Sequence, residues 1–404
     1  MAKVLQGLRV IEGSAFVAAP LAGMTLAQLG ADVIRFDRIG GGLDHHRWPV
    51  TKDSRSLYWA GLNKGKRSIA VDIATPRGQE IIRRLICGPG PDGGIFLTNL
   101  NPRGALSYDE LRKHREDVLM VSLLGDRLGG PQVDYTVNAG SGFPFVTGPS
   151  NLREPVNHAL PAWDVIAGNM AALAVLAAER HRLKTGQGQL VELSLKDVAL
   201  AVLGHLGIIA DVALNHAERE RLGNAVHGAY VQDFSCVDGR SVIVVGLTKR
   251  QWESIRAATG LGAELDALEE RLGLDLAGEG NRFLARDAIT DVLAPWFRAR
   301  SLEEVAGPLK KHGVTWGVFR SFTQALAEDP DLSTENPMFS MVDHPGIGSL
   351  LTPGTPIAFQ GAERETPVRA PLLGEHTDMV LAEAGYSATE IAALHDAGVV
   401  AGTK

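Results

Sequence analysis

One carboxylate precedes the longest apolar stretch of this 404-residue chain. In the segment PAWDVIAGNMAALAVLAAERH, Asp164 is followed by about four turns of apolar helical sequence. A helix that is apolar almost all round is predicted to be buried, so its first turn would hold Asp164 rigidly, partly desolvated and kept ionised by the helix dipole. Such a carboxylate can attack an activated acyl carbon. The alternative is an N-cap, whose side-chain oxygen would accept a first-turn amide.

Basic residues cluster beside several predicted strands, and glycines accompany them. Because ligands of doubly wound sheets bind beyond the carboxyl ends of the strands, these side chains are predicted to converge on a polyphosphate. The alternative is ordinary solvated charge. The residues concerned are Arg35, Arg38, Lys64, Lys66, Arg67 and Arg103.

Motifs of several other enzyme classes are missing from the sequence, which contains neither HExxH nor GxSxG. The stretch GPGPDG at residues 88–93 matches GxGxxG, but it follows a predicted helix and holds two prolines, so it is predicted to be a loop. No histidine pair has helical metal-ligand spacing, and Cys87 and Cys236 fit neither a disulfide framework nor a zinc site. We therefore predict no metal site and a reducing compartment.

Composition narrows the choice of partners. A net charge of −7 and a pI near 6.0 argue against nucleic acid and against an anionic membrane, and leave a small anionic ligand possible. The first residues lack a signal-peptide pattern, and the longest apolar run, at about residues 165–178, is shorter than the roughly 18 residues of a membrane span. The protein is predicted to be soluble and cytoplasmic.

Strand and helix patterns must position these residues. GLRVIEG, APLAGMTLAQLG and ADVIRFD predict a strand, a helix and a strand, and the alternation recurs through VLMVSLLG and, after the Asp164 helix, QLVELSL. This order favours an α/β fold with a mostly parallel, doubly wound sheet.

The composition and the secondary-structure pattern change twice along the chain, which predicts three segments. Residues 1–218 form the first part of a large domain, and residues 219–329, with the DG-turned hairpin FSCVDGRSVIVVG and charged helices, form a smaller α/β domain. Residues 330–404 return to the large domain. Their Pro/Gly-rich stretch ENPMFSMVDHPGIGSLLTPGTP is predicted to be a loop, and SATEIAALHDAG a helix.

Four segments together resemble the class III coenzyme A transferases, which include formyl-CoA transferases, carnitine CoA-transferases and α-methylacyl-CoA racemases. They are GLRVIEGSAFVAAPLAGMTLAQLGADVIRFDRIGGG, NKGKRSIAVDIATPRGQEIIRRLI, WDVIAGNMAALAVLAAERHRLKTGQGQLVELSL and PVRAPLLGEHTDMVL. The resemblance covers nearly the full chain. It implies a Rossmann-like large domain, a small domain, an interlocked homodimer and no tightly bound cofactor, since coenzyme A enters as part of the substrate.

The resemblance also implies roles for individual residues. The family's nucleophilic aspartate falls on Asp164. A separate expectation, which the resemblance does not supply, is that the loop with Tyr135, Asn138 and Gly140, and Asp134 before it, contacts the acyl group. The expected CoA contacts are Val17, Ala18, Arg38, Val71, Asp72, Ile73, Ala74, Asn99, Leu100, Asn101 and Arg103.

Within the family, the segments IEGSAFVAAP and NHALPAWD resemble the branch that moves CoA from C1 to C4 of one mesaconyl (methylfumaryl) unit, in the 3-hydroxypropionate cycle of carbon fixation. Asp164 would carry first the acyl group, as an anhydride, and then CoA, as a thioester. Alternatives are an intermolecular transferase, an acyl-CoA racemase and a non-catalytic CoA-binding protein. Racemisation is disfavoured because Val133 stands where the racemase branch has a histidine.

The sequence departs from the family pattern at two places. Trp163 occupies the position of the glycine that usually precedes the aspartate, and the glycine-rich loop of the formyl-CoA transferase small domain is missing.

Overall fold

The computed structural model describes residues 3–403. The strands are β1 Arg9–Gly13, β2 Asp32–Asp37, β3 Arg67–Val71, β4 Ile95–Thr98, β5 Leu119–Leu124, β6 Gln189–Ser194, β7 Tyr230–Ser235, β8 Ser241–Gly246, β9 Thr315–Val318, β10 Phe339–His344, β11 Gly348–Pro353 and β12 Val400–Ala401. The α-helices are α1 Ala18–Gln28, α2 Leu57–Leu62, α3 Pro76–Ile86, α4 Tyr108–His114, α5 Asp134–Ala139, α6 Phe143–Val146, α7 Ala162–Thr185, α8 Leu195–His205, α9 Ile208–Asn215, α10 Lys249–Thr259, α11 Gly262–Leu272, α12 Glu279–Leu284, α13 Arg286–Arg298, α14 Leu302–Lys311, α15 Phe322–Glu328, α16 Thr377–Glu383 and α17 Ala388–Asp396.

The central sheet has the strand order β12-β3-β2-β1-β4-β5-β6. Every neighbouring pair is parallel except β12 with β3. The order β3-β2-β1-β4-β5-β6 is that of a dinucleotide-binding fold, in which the sequence of strands reverses between β1 and β4. The predicted Rossmann-like, doubly wound sheet is confirmed. Its carboxyl edge carries the loops after β1, β2, β3, β4 and β5.

Apolar strand residues explain why the sheet is buried on both faces. All four residues of β4 are buried, as are the first five of β5, which is typical of a parallel strand covered on both sides. One core cluster gathers apolar side chains from the sheet, α3, α4, α16 and α17, such as Ile34, Phe36 and Ile82. Helices α1 and α7 pack against each other and also contact the sheet.

Helix α7 is less buried than the sequence predicts. One face packs inward through Ala167, Ala171 and Val175, but Met170 is 42% exposed and Leu173 is 65% exposed. The expectation of burial all round is therefore wrong for the single chain.

The same helix bears on the membrane prediction. By length and composition alone α7 could cross a membrane, since its most apolar 18-residue window has a mean hydropathy of 1.3. Within the described chain, 44% of that window is buried.

The chain divides into two compact units. The first contains Met1–Ser141, Ala159–Ile208 and Asp329–Lys404, and the second contains Gly142–His158 and Ile209–Glu328. The predicted domains, with boundaries at 218/219 and 329/330, are units expected to fold independently, and they stay a prediction.

The second unit is built on the antiparallel sheet β7-β8-β9. The predicted hairpin is present, because β7 and β8 pair around the Asp238-Gly239 turn and Gly239 has a φ of 76°. Trp252 of α10 and Phe297 of α13 are fully buried against the sheet, and Phe297 stacks on Phe234 at 4.1 Å between ring centroids.

The C-terminal segment contains a hairpin where the sequence predicts a loop. Strands β10 and β11 pair from Phe339 with Pro353 to His344 with Gly348. The prediction is wrong because Pro and Gly lie at the turn, where Gly346 takes a φ of 73°, and at the ends of the hairpin, and residues 339–344 and 349–352 contain neither. The predicted final helix is present as α17, capped by Ser387 and Glu390, and β12 then pairs with the edge strand β3.

The close packing of α7 on α1 depends on Gly168. A Cβ at this position would lie 2.7 Å from the Ala18 carbonyl oxygen. We expect Gly168→Ala to lower the free energy of unfolding by about 1–3 kcal/mol, as overpacking usually does. Gly280→Ala is the matched control, because no atom lies within 4 Å of its Cβ position and alanine favours helix. Thermal and denaturant unfolding would check both, and equal stability of the two variants would contradict the packing argument.

Candidate active site

Asp164 lies in the first turn of α7 but does not cap it. The N-cap position is occupied by Pro161, which makes no side-chain capping bond, and Asp164 is the third residue of the helix. The N-cap alternative for Asp164 is therefore wrong. Its own backbone N–H donates to Asp134 Oδ2 at 3.1 Å. The carboxylate of Asp164 is thus not engaged with the helix end that it follows.

Asp134 supplies the cap from another helix. Its Oδ2 accepts hydrogen bonds from the backbone amides of Trp163 at 2.8 Å and Asp164 at 3.1 Å. The Trp163 indole also donates to Asn138 Oδ1 at 3.2 Å, so α5 holds the start of α7 at two points. Because Asp134 is only 1% exposed, its charge meets the partial positive charge of the helix N-terminus out of solvent.

The environment of Asp164 disfavours its charged form. Burial, followed by the negative charge of Asp134, raises the pKa of Asp164 to about 6, and the nearby positive charge of Arg47 partly opposes this. From its place in the first turn, the helix dipole is expected to keep the group ionised. With a pKa of about 6, roughly nine tenths of the carboxyl groups are ionised at pH 7. A carboxylate with a raised pKa is a stronger base, which suits a nucleophile.

A cavity of about 310 Å³ opens in front of this carboxylate. Five of the predicted site residues line it: Ala18, Asn99, Asp134, Tyr135 and Asp164. The remaining lining residues are Phe16, Arg47, Leu123, Leu124, Gly125, Gln132, Val133, Ala167, Leu193 and Leu195. These residues lie at or beyond the carboxyl ends of β1, β2, β4, β5 and β6 or in the first two turns of α1, α5, α7 and α8, at the edge where ligands of doubly wound sheets bind.

Arg47 is a cavity residue that the sequence analysis missed. Its guanidinium carbon lies 4.8 Å from the ring centroid of Tyr58 and 5.2 Å from that of Phe16. Nothing in the stretch HHRWPV marks this arginine as special, because the two rings come from separate elements. Only the folded chain brings the three side chains together.

A buried ionic network lies behind this group. Arg35 pairs with Asp37 at 2.9 Å and Asp44 at 3.1 Å, and Lys66 pairs with Glu12 at 2.8 Å. Burial lowers the pKa of Lys66 to about 8, although Glu12 opposes the shift. The network fixes the loop after β1, since Arg35 also donates to the Ser14 carbonyl.

Most of the basic residues singled out in the sequence therefore serve the fold. Arg35 and Lys66 are buried ion-pair partners. They therefore fit neither the predicted polyphosphate site nor the alternative of solvated charge. Lys64 is buried, which lowers its pKa to about 8, and it donates to the Gly61 carbonyl. Arg67 begins β3 and pairs with Asp32 and Glu383, at the edge of the sheet opposite the cavity. The predicted convergence of these four is wrong.

The residues predicted to contact CoA all lie at the carboxyl edge of the sheet. They lie at or just after the carboxyl ends of β1, β2, β3 and β4. Several already have local roles: Asn99 bonds both the N–H and the carbonyl of Ala15, and Arg38 donates to the Gly41 carbonyl. Arg103 is exposed. Outside the lining of the cavity, still at this edge, are Val17, Arg38, Val71, Asp72, Ile73, Ala74, Leu100, Asn101 and Arg103.

Two residues that are predicted to contact the substrate instead form hydrogen bonds within the fold. Asn138 accepts from the Trp163 indole, and the Gly140 amide donates to the Val137 carbonyl at 3.1 Å, at the end of α5. Neither residue lines the cavity. No group of three or more His, Cys, Asp or Glu residues between positions 3 and 403 is arranged to hold a metal ion.

The dual role of Asp134 leads to a test. Asn at this position can still accept the two amide bonds but removes the negative charge, so Asp134→Asn should lower the pKa of Asp164 below 6. Asp134→Ala also removes the acceptor and should cost about 0.5–2 kcal/mol of stability. Carboxyl titration by NMR, with the exposed Asp109→Asn as control, would measure the first effect. An unchanged Asp164 titration in Asp134→Asn would contradict the charge coupling.

Comparison with known proteins gives a consistent result. The sequence profile of CoA-transferase family III matches residues 5–377. The 2-methylfumaryl-CoA isomerase of Chloroflexus aurantiacus is 58% identical over 404 residues, covering 100% of this chain and 99% of that protein. Human succinyl-CoA:glutarate CoA-transferase is 28% identical over 414 residues, covering 98% of this chain and 90% of that protein.

A solved structure supports the fold assignment. The crystal structure of a CAIB/BAIF family protein from Brucella suis matches with a TM-score of 0.76 and 27% identity, covering 95% of this chain and 100% of that one. The resemblance inferred from the sequence segments is thereby confirmed. This chain belongs to CoA-transferase family III.

Proposed function

We propose that this enzyme transfers CoA within one molecule and converts 2-methylfumaryl-CoA (mesaconyl-C1-CoA) into 3-methylfumaryl-CoA (mesaconyl-C4-CoA). The observation that carries the proposal is the 58% identity, over the full chain, with a protein named as that isomerase. The site supports it with a nucleophile of suitable basicity, since Asp164 lines the cavity and the helix end behind it is capped by Asp134.

In the proposed cycle, a carboxylate oxygen of Asp164 attacks the C1 thioester carbonyl, the C–S bond breaks, and CoA leaves as a thiolate from a mixed anhydride. The thiolate then attacks the Asp164 carbonyl, which releases the acid as a carboxylate and leaves an aspartyl-CoA thioester. The C4 carboxylate attacks this thioester and again releases the thiolate. Attack of the thiolate on the C4 acyl carbon completes the product and restores Asp164.

Retention of the acid is the physical advantage of this route. Because the released acid stays beside the aspartyl-CoA thioester, the second half of the cycle is effectively unimolecular. Such positioning can lower a barrier by about 7–11 kcal/mol. CoA would be held by the residues after β1 to β4 already named, with the exposed Arg103 near the phosphates.

Removal of the nucleophile should stop the reaction. We expect Asp164→Asn to lower kcat for isomerisation by at least about a thousandfold while the chain stays folded. In the wild-type enzyme, hydroxylamine added during turnover should give a hydroxamate on Asp164, detected by peptide mass spectrometry. The exposed Asp109→Asn variant serves as control. An active Asp164→Asn enzyme, or an unlabelled Asp164 during turnover, would refute the covalent route.

An intermolecular transferase is the second candidate, favoured by the similarity to the human succinyl-CoA:glutarate enzyme. Turnover in the presence of isotopically labelled free mesaconate separates the two functions. The intramolecular enzyme should leave its product unlabelled, whereas an intermolecular enzyme would incorporate the label. Racemisation is disfavoured, because Val133 offers no proton-transfer group beside Asp134.

We further propose an interlocked homodimer in the cytoplasm. The exposed apolar face of α7, with Met170 and Leu173, and Leu200 of the neighbouring α8 support a partner surface, and the two free cysteines are compatible with a reducing compartment. Cell fractionation would check the compartment.

The assembly has its own test. Sedimentation velocity should give twice the chain mass of 43.1 kDa for the wild type and one chain mass for Leu173→Glu. Interlocked chains should also fail to exchange between tagged and untagged dimers without unfolding. Rapid exchange would contradict interlocking, and a monomeric wild type would contradict the dimer.

A further inference from the structure

The cavity combines negative charge with one basic side chain. Among the described residues that line it, Asp134 and Asp164 carry carboxylates and Arg47 alone is basic. A ligand with a free carboxylate would meet repulsion from the two aspartates. Such a ligand is therefore stable in this cavity only where its charge meets the Arg47 guanidinium.

Aromatic rings, and no carboxylate among residues 3–403, hold the Arg47 guanidinium. In the part of the chain that the structure describes, the carboxylates of Asp37 and Asp44 pair with Arg35, and none pairs with Arg47. Its guanidinium carbon lies over the rings of both Phe16 and Tyr58. Stacking covers the faces of a guanidinium and leaves its N–H edge free to donate two parallel bonds to a carboxylate.

The backbone around Phe16 is strained in a way that maintains this stack. Phe16 has a φ of 68°, a left-handed conformation that is costly for a residue with a side chain. Its N–H donates to Asp44 Oδ1 at 2.8 Å, while the other oxygen of Asp44 pairs with Arg35. The buried network thus holds the Phe16 ring against Arg47, so the guanidinium is preorganised for ligand binding.

We propose that Arg47 binds the free carboxylate of the acyl group and retains the released dicarboxylate between the two half-reactions. This inference rests on the proposed function and adds to it the residue that selects a dicarboxylic substrate. In the mesaconyl thioester, Arg47 binds the C4 carboxylate while Asp164 attacks C1.

The same side chain explains how one site can serve both ends of the acid. When the thiolate attacks the Asp164 carbonyl, the C–O bond of the anhydride breaks and the acid leaves as a dianion. One carboxylate then lies beside the aspartyl-CoA thioester and the other at Arg47. For C4 to react, the two ends exchange places, and the C1 carboxylate takes over the guanidinium. A single arginine therefore anchors each end in turn.

The test compares two acyl-CoA probes in Arg47→Gln, Arg47→Lys and the exposed control Arg112→Gln. With mesaconyl-CoA, we expect Arg47→Gln to raise KM at least tenfold, and to incorporate labelled free mesaconate at least tenfold more per turnover than the wild type. With methacrylyl-CoA, which has no second carboxylate for Arg47 to bind, exchange of labelled CoA through the Asp164 anhydride should fall by a much smaller factor than turnover of mesaconyl-CoA. Arg47→Lys should fall between the two, and Arg112→Gln should match the wild type.

Each contrary result has a distinct meaning. Unchanged KM and unchanged label incorporation in a folded Arg47→Gln enzyme would overturn the inference, as would equal losses with both probes. If Arg47→Gln does not fold, the same criteria apply to Arg47→Lys, which keeps the charge but not the two-pronged geometry. A wild-type enzyme that does not isomerise mesaconyl-CoA would instead refute the proposed function, whatever the behaviour of the variants.

Discussion

The hydrogen bonds from the first turn of α7 to Asp134 are the interaction on which the site depends. A buried helix start needs acceptors for its free amides, and an aspartate at the start of a helix would ordinarily provide one itself. Here Asp134 accepts from the backbone amides of Trp163 and Asp164, so the Asp164 side chain is not needed as a helix cap. The same charge contributes to the raised pKa of Asp164. Capping and activation therefore come from one carboxylate.

The second constraint is the ionic network under the loop after β1. Burying Arg35, Lys66 and their carboxylate partners is unfavourable unless every charge is paired, and removal of one partner leaves another charge unpaired in the interior. Such a network tolerates few alternative arrangements. It therefore defines the path of residues 14–16 and, through Asp44, the position of the Phe16 ring beside the cavity.

The sheet could be predicted because its signals are local. Apolar strands alternating with amphipathic helices, and caps such as Thr75 and Ser387, mark each element within a few residues. The position of Asp164 in a first turn was predictable for the same reason. Its capping partner was not, because Asp134 lies 30 residues earlier and nothing in the sequence joins the two helices.

Other errors have comparable physical causes. Arg35 and Lys66 look like loop charges in a list of basic residues, although internal partners make them core residues. The β10–β11 hairpin was hidden because Pro and Gly are counted over a window, while only the turn between the strands needs them. Arg47 gave no signal, since its role depends on rings from two other elements. Apart from the hairpin, each missed feature depends on side chains from other elements of the chain.

The short strand β12 has a consequence for behaviour in solution. It pairs with the outer side of β3 through Val400 and Ala401, and the preceding helices are anchored to the same strand, for example by the His376 amide on the Ser68 carbonyl. An uncovered β3 would present a row of unpaired backbone groups beside fully buried apolar residues. By covering β3, strand β12 guards the molecule against edge-to-edge aggregation. A chain cleaved by a protease before residue 400 would aggregate through this edge although the site around Asp164 stayed intact.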